Sequence, residues 1–293
     1  MTFLNFFISG ISLGSIYAII ALGYTMVYGI SKMLNFAHGD VIMVGAYICF
    51  YAVVRYGLNP FLAVAVAMML CSILGIIVEG LAYKPLRQAP SLAVLITAIG
   101  MSYFLQNTAL LLWSSNPKVF PSVVGRGAFH MFNGNLSVSH ITALTIIVCL
   151  VIMVALSLFV SKTKMGKAMR ACSEDKGAAQ LMGINVNATI SMTFAIGSGL
   201  AAIAGALLCS AYPTLMPTTG SLPGIKAFTA AVFGGIGSIP GAFLGGLMLG
   251  VIEIFAKAYI SSQLSDAVVF GVLIVVLLVK PAGLLGKMTQ EKV

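Results

Sequence analysis

The chain is dominated by apolar runs that approach or exceed the length of a membrane-spanning helix. A helix needs about 20 predominantly apolar residues to cross the hydrocarbon core of a bilayer. Five runs reach that length, at residues 3–28, 59–83, 91–113, 141–160 and 189–211, and shorter ones cover 41–54, 225–236, 242–259 and 266–279. The pattern predicts an all-α integral membrane protein, a polytopic helical bundle of about eight or nine transmembrane segments.

Composition supports this class. Hydrophobic residues make up 60% of the chain and charged residues only 8%, whereas a soluble domain carries about 25% charged residues. So few polar side chains cannot cover a soluble core, but a surface that faces lipid needs no such cover. We therefore interpret residues 1–293 as a single transmembrane domain surrounded by membrane lipid.

The net charge of +9 is explained by membrane orientation. The Lys and Arg residues gather at the ends of apolar runs, without the interleaved aromatics of a nucleic-acid footprint, so no nucleic-acid partner is predicted. The most basic loop, residues 161–188, is predicted to be cytoplasmic. Counting spans from it places the amino terminus and loops 114–140 and 212–223 outside, and the carboxyl terminus, with Lys280, Lys287 and Lys292, inside.

This orientation requires an odd number of crossings after residue 223, so the short run 225–236 must cross too. A run of about a dozen residues suits a half-helix or re-entrant element better than a full span. We predict a broken or re-entrant helix there, ended by the glycines Gly234, Gly235 and Gly237. Glycines of this kind serve close helix packing, or they mark a broken helix whose free amides face a substrate carboxylate.

The loop 161–188 contains a helical pattern of its own. Met165, Met169, Cys172 and Ala179 recur at helical spacing, while charged residues lie elsewhere around the helix. The pattern predicts one short cytoplasmic helix. It is either a basic loop that orients the protein or a docking helix for another subunit.

Ionisable residues inside the spans are few. Glu253 and Lys257 are four apart and are predicted to neutralise each other on one helix face. Glu79 is predicted to reach the interface near Lys84. His38 and Asp40 are assigned to the first cytoplasmic turn, and no metal site or cofactor is predicted, because no second His or Cys offers ligand spacing.

Sequence motifs for chemistry are absent as well. The sequence has no G-x-x-x-x-G-K-[ST] phosphate loop, no H-E-x-x-H and no G-x-S-x-G. We therefore predict a transport subunit that is not an enzyme, with energy supplied from elsewhere or transport that is passive.

Several ordered stretches carry a family resemblance. They are residues 14–18 (GSIYA), 21–30 (ALGYTMVYGI), 35–40 (NFAHGD), 95–107 (LITAIGMSYFLQN), 165–185 (MGKAMRACSEDKGAAQLMGIN), 224–250 (GIKAFTAAVFGGIGSIPGAFLGGLMLG) and 280–286 (KPAGLLG). Together they resemble the LivH-type permeases, the membrane subunits of bacterial ABC importers for branched-chain amino acids.

The resemblance implies the ABC importer permease fold, a place in the bacterial inner membrane and a set of partners. These are a second related permease subunit, two ABC ATPase subunits and an external (periplasmic) amino-acid-binding protein that delivers Leu, Ile or Val. Residues 166–183 look like the coupling loop that enters the ATPase, with Arg170, Glu174, Asp175 and Gly183 at the contact. The substrate path is expected between the two permeases, with these candidates: Asn35, His38, Gln106, Asn107, Gly234, Gly235 and Gly237.

Alternatives remain open at this stage. Gln106 and Asn107 also suit plain interhelical hydrogen bonds. Permeases for urea or another small amide look similar, and an ion-coupled carrier or channel acting alone is a second class. A membrane enzyme is the third, but the sequence lacks a convergent set of acid, base or metal ligands.

Overall fold

The computed structural model describes residues 2–125, 127–131 and 136–286, so Lys287 and Lys292 lie outside the described residues. The helices in this part of the chain are α1 (Thr2–Ser31), α2 (His38–Val54), α3 (Pro60–Val78), α4 (Ser91–Trp113), α5 (His140–Lys162), α6 (Lys164–Glu174), α7 (Lys176–Leu181), α8 (Val186–Ala211), α9 (Ser221–Gly234), α10 (Ile239–Tyr259) and α11 (Ser265–Val279). A π turn (Glu79–Tyr83) and a 3-10 turn (Lys84–Leu86) continue α3. The strands are β1 (Lys118–Val119), β2 (Ala128–Met131), β3 (Leu136–Ser139) and β4 (Thr214–Leu215).

The predicted membrane class is confirmed by the lengths of these helices. Within the described residues, six helices are long and apolar enough to cross a membrane: α1, α3 with its continuation, α4, α5, α8 and α10. Helices α2 and α11 are shorter and apolar. Helix α10 begins three residues before the predicted run, because Ser238 caps it by accepting a hydrogen bond from the Gly241 amide and Pro240 suits its first turn.

The two ends of the bundle are distinguished by their loops. We call the end that carries β2 and β3 the hairpin end and the end that carries α6 and α7 the α6 end. Helix α5 joins the two, since it follows β3 and precedes α6. Helix α1 runs from the hairpin end to the α6 end, where Lys176 Nζ donates a 2.7 Å hydrogen bond to the Ser31 carbonyl. Strands β1 and β4 pair across the hairpin end, so the predicted loop 114–140 carries structure of its own.

Burial separates an inner layer of helices from an outer one. In α8, 83% of the apolar stretch is buried and in α1 67%, against 22% in α4 and 17% in α5. Helix α1 packs against α10 through glycines, and a Cβ added to Gly250 would lie 2.2 Å from the Gly14 Cα. Helices α3, α4 and α5 therefore present apolar side chains outward, as a lipid-facing or subunit-facing layer does.

Helices α2 and α9 begin inside the bundle rather than at its ends. The His38 ring packs on the Tyr24 ring, with 4.6 Å between centroids. Tyr24 lies about 10 Å before the end of α1 at a helical rise of about 1.5 Å per residue. His38 and Asp40, which the sequence assigned to the first cytoplasmic turn, begin α2 where the chain turns back into the bundle, and each is only 1% exposed.

The predicted half-helix is present as α9. Its start packs against the start of α2, and a Cβ added to Gly224 would lie 2.8 Å from the Gly39 Cα. Its end is held by the residues after α11, because the amides of Leu284 and Leu285 donate 2.9 Å hydrogen bonds to the carbonyls of Phe233 and Gly234.

Candidate functional site

A buried cluster of charges joins four helices near the hairpin end. Glu253 of α10 is 1% exposed and accepts hydrogen bonds from Tyr17 Oη (2.8 Å), Lys226 Nζ (2.8 Å) and Lys257 Nζ (2.6 Å). Lys226 of α9 also forms a 2.6 Å ion pair with Asp266 of α11. Glu253 and Lys226 are buried, and the partly exposed Lys257 and Asp266 complete a balance of two carboxylates and two ammonium groups, as buried charges require.

This cluster corrects the sequence prediction for Glu253. The pair with Lys257 exists, but it is not self-contained, because Lys226 and Tyr17 reach the same carboxylate. The sequence reasoning missed Lys226, although it lies inside the predicted apolar run 225–236. A lysine within a span was the available signal, since such residues are rare and functional by default.

A cavity of about 260 Å³ lies beside this cluster. Tyr212, Leu222 and Lys257 line it and are exposed. The other lining residues are Leu13, Tyr17, Leu208, Thr214, Thr219, Pro223, Lys226 and Glu253. The cavity joins apolar walls to two ammonium groups and a carboxylate, so it offers partners for a small molecule that carries both charges and an apolar side chain.

The predicted path residues Asn35, His38 and Gln106 lie deeper in the bundle, near the start of α2. Gln106 Nε2 donates to Asp40 Oδ1 (2.8 Å) and to Ser221 Oγ (3.3 Å), and so ties α4 to α2 and α9. Asn35 accepts a 2.8 Å hydrogen bond from the Tyr83 hydroxyl. Among the described residues, His38 Nε2 is buried without a hydrogen-bond partner.

The remaining path candidates lie elsewhere. Asn107 is exposed and donates to the Tyr103 carbonyl of its own helix. Gly235 and Gly237 have φ angles of +104° and +95°, in the region that favours glycine. A Cβ on Gly235 would lie 2.4 Å from the Gly286 amide nitrogen, so this glycine is needed where the chain after α11 packs against the end of α9.

The loop 161–188 forms two helices, and the prediction of one short helix is wrong. Asp175 ends α6 with extended backbone and caps α7 by accepting from the amides of Gly177 (2.7 Å) and Ala178 (3.0 Å). This capping competes with helix continuation, as is usual for Asp. The apolar face is as predicted, since Met169, Cys172 and Ala179 are buried in a cluster with residues of α1, α3 and α8.

The charged residues predicted for the ATPase contact face outward. Arg170, Glu174 and Asp175 are exposed, and no ion pair joins Arg170 to Glu174 within the described chain. Gly183 has a φ angle of +82° and ends α7, with the Ile184 amide donating to the Ala179 carbonyl in a Schellman arrangement. The side chains of Arg170, Glu174 and Asp175 are therefore accessible to a partner at the α6 end.

Glu79 also differs from its prediction. It is only 1% exposed, and its ion-pair partner is Arg87 instead of the nearby Lys84. Ser191 Oγ of α8 donates a further 2.7 Å hydrogen bond to it. The π turn at Glu79–Tyr83 accompanies this buried position.

A polytopic apolar bundle with a cavity beside a charge-balanced cluster at one end and a charged pair of short helices at the other has the organisation of a membrane transport subunit. Its sequence relatives agree. A family model described as branched-chain amino acid transport system / permease component matches residues 6–277, and the chain belongs to this family. It is thus a component of membrane transport rather than an enzyme.

Individual relatives cover nearly the whole chain. The high-affinity branched-chain amino acid transport system permease protein BraD of Pseudomonas aeruginosa is 46% identical over 99% of this chain and 98% of its own length. LivH of Escherichia coli, a permease protein of the same description, is also 46% identical with the same coverage. The fructose import permease protein FrcC of Rhizobium meliloti is 24% identical over 89% of this chain and 73% of its own length.

Proposed function

We propose that this chain is the permease subunit through which an ATP-driven importer carries leucine, isoleucine or valine across the bacterial inner membrane. The family and the relatives named for this transport support the cargo. The absence of a phosphate-binding loop from the sequence supports separate ATPase subunits. The complex then comprises this permease, a second related permease, two ABC ATPases and a periplasmic amino-acid-binding protein.

The α6 end is the cytoplasmic end in this proposal. Basic residues concentrate there, as the positive-inside rule requires: Lys32, Lys84, Arg87, Lys162, Lys164, Lys167, Arg170 and Lys176. Residues 161–188 are then the cytoplasmic coupling loop, and 114–140 an external loop that faces the binding protein.

The cavity at the hairpin end receives the amino acid. The single observation that carries this assignment is a charge-balanced cluster beside an accessible cavity. The substrate's carboxylate pairs with Lys257 or Lys226, and its ammonium group pairs with Glu253. Its branched side chain packs against the apolar wall of Leu13, Leu208 and Leu222.

Onward movement follows from coupling at the other end. Arg170, Glu174, Asp175 and Gly183 form the ATPase contact, and the apolar face of α6 and α7 transmits the push to α1, α3 and α8. The bundle then alternates between outward-open and inward-open packings. Asn35, His38 and Gln106 lie where α2 and α9 begin, and the substrate passes them on its way inward.

Uptake by the purified transporter complex in lipid vesicles tests the function. With binding protein outside and ATP supplied to the ATPases, labelled leucine accumulates and labelled urea does not. Urea uptake without leucine uptake overturns the cargo, and leucine accumulation by the isolated chain without ATP overturns the ATP-driven mechanism.

The cavity assignment has a matched pair of variants. Lys257→Met removes a cation that lines the cavity, and Arg55→Met removes an exposed cation at the same end that does not line it. Loss of one charge-assisted hydrogen bond, about 1.5 kcal/mol, lowers leucine uptake about tenfold in the first variant. Equal uptake by both variants contradicts the receiving role of the cavity.

A further inference from the structure

A second cavity of about 260 Å³ opens at the α6 end. It lies among the segment after α1, the end of α3, the start of α4 and helix α7. Three cationic residues line it, Lys32, Arg87 and Lys176, and no carboxylate is among its described lining residues. The proposed substrate route does not use this cavity.

The cations are only partly neutralised. Glu79, the carboxylate paired with Arg87, is 1% exposed and also accepts a hydrogen bond from Ser191. Arg87 Nε is buried and has no partner among the described residues. Lys32, Arg87 and Lys176 carry three positive charges and Glu79 carries one negative charge, so the region has a local excess of positive charge.

The excess positive charge comes from Lys32 and Lys176, because neither lysine forms an ion pair within the described residues. Lys176 is half-buried and donates to the Ser31 carbonyl at 2.7 Å. Burial lowers the pKa of its ammonium group, and Arg87 and Lys32 lower it further. Like charges close together cost free energy unless an anion joins them.

Lys32 adds a conformational cost. Its φ angle is +58°, in the left-handed region that costs a residue with a Cβ about 1 kcal/mol. Such strain clusters at binding sites. A lysine held there supplies a cation at a position where glycine or asparagine would fit with less strain.

Apolar surface adjoins the charges. Met33, Leu34, Val94 and Leu95 line the same cavity, and Leu92, one turn away from Leu95 on α4, is 65% exposed. A charged pocket with an apolar flank at the membrane boundary matches a phospholipid, whose headgroup and acyl chain need adjacent polar and apolar surfaces.

We propose that this cavity binds a phosphate group, supplied by an anionic phospholipid headgroup of the adjacent leaflet or by free phosphate. The group accepts hydrogen bonds from Lys32, Arg87 and Lys176. It thereby joins α7, the segment after α1 and the end of α3.

Native mass spectrometry of the detergent-purified complex tests this binding. The probes are phosphatidylglycerol, phosphatidylcholine and inorganic phosphate. We expect wild type to retain phosphatidylglycerol over phosphatidylcholine, and affinity to fall about fivefold for each cation removed, at about 1 kcal/mol per cation. The variants are Lys32→Asn, which tolerates the left-handed backbone, and Lys176→Gln, which keeps a donor for the Ser31 carbonyl.

Controls separate the outcomes. Lys162→Gln removes a cation that does not line the cavity and leaves binding unchanged, and Lys176→Arg keeps the charge and retains the lipid.

Competition with inorganic phosphate identifies the source of the bound group. If inorganic phosphate displaces the lipid, the site recognises the phosphate group itself; if the lipid stays bound in the presence of inorganic phosphate, the site recognises the whole lipid. Equal phosphatidylglycerol binding by wild type and the folded Lys32→Asn/Lys176→Gln variant overturns the proposal. Since transport is not measured, that result leaves the proposed function standing.

Discussion

Glu253 shows how one residue can organise several helices. Its carboxylate accepts hydrogen bonds from Tyr17 on α1, Lys226 on α9 and Lys257 on its own helix. A buried charge is tolerated only with such partners, because an unpaired carboxylate in an apolar interior is far more costly. The position of α9 against α1 and α10 therefore depends on this carboxylate.

A double-mutant cycle tests that dependence. Lys226→Met and Glu253→Leu each lower the free energy of unfolding by about 1–3 kcal/mol, because each leaves a charged partner less well paired. The double variant loses less than the sum, since both changes remove the same pair. The thermal midpoint of the purified complex reports the loss, and strictly additive losses would show that the pair is uncoupled.

At the scale of the element, α6 and α7 combine two surfaces. One is apolar and buried through Met169, Cys172 and Ala179; the other exposes Arg170, Glu174 and Asp175. A short helix pair with one side anchored in the bundle and one side charged is suited to transmit force from a partner.

Charge reversal tests the exposed surface. Arg170→Glu and Glu174→Lys are expected to impair ATPase co-purification or leucine uptake, because neither residue has an ion-pair partner within the described chain. Membrane insertion stays normal, since the apolar face is unchanged. Arg55→Glu, an exposed change before α3 at the hairpin end, serves as the control. Normal co-purification and uptake by both α6 variants would count against docking.

Two substitutions of Asp175 distinguish its role as the cap of α7 from a role of its charge in ATPase contact. Asp175→Asn keeps an oxygen acceptor for the amides of Gly177 and Ala178, whereas Asp175→Ala loses it at a cost of about 1 kcal/mol. If the residue acts by capping α7, uptake falls only in the alanine variant. If it contacts the ATPase through its charge, both variants lose uptake, and ATPase co-purification measured beside uptake identifies that case.

At the scale of the whole molecule, the bundle is built around α1. Helices α8, α9 and α10 pack on it, and the glycines of α1 and α10 let the two backbones approach closely. Apolar burial adds little specificity in lipid, so small residues and polar contacts decide which helices meet.

A pair of glycine substitutions tests this packing. Gly250→Ala places a Cβ 2.2 Å from Gly14 backbone atoms, and overpacking of this kind costs about 1–3 kcal/mol. Gly271→Ala on α11 meets nothing within 4 Å and is neutral or slightly stabilising. Thermal midpoints of the two purified variants are compared, and equal midpoints would show that the α1–α10 contact tolerates expansion.

The span positions could be predicted because span length and hydropathy are local properties. The observed bounds of α4, Ser91–Trp113, match the predicted run, and α9 was anticipated as a half-helix because its run is too short for a span. The depth of His38 could not be predicted in the same way. Residues 32–37 follow a span and carry a lysine, so they resemble an ordinary surface turn, and only the contact with Tyr24 places His38 inside the bundle.

The sequence by itself determined the membrane class, the approximate positions of the helices, the family and the apolar face of α6 and α7. The tertiary structure alone decided that Lys226 and Tyr17 meet Glu253, that Arg87 replaces Lys84 as the partner of Glu79, and which helices form the inner layer. The reason is physical. A helix in lipid is apolar on all sides, whether a side faces lipid or protein, so hydropathy does not indicate which helix faces pack together. The polar contacts that decide the packing join residues far apart in the chain.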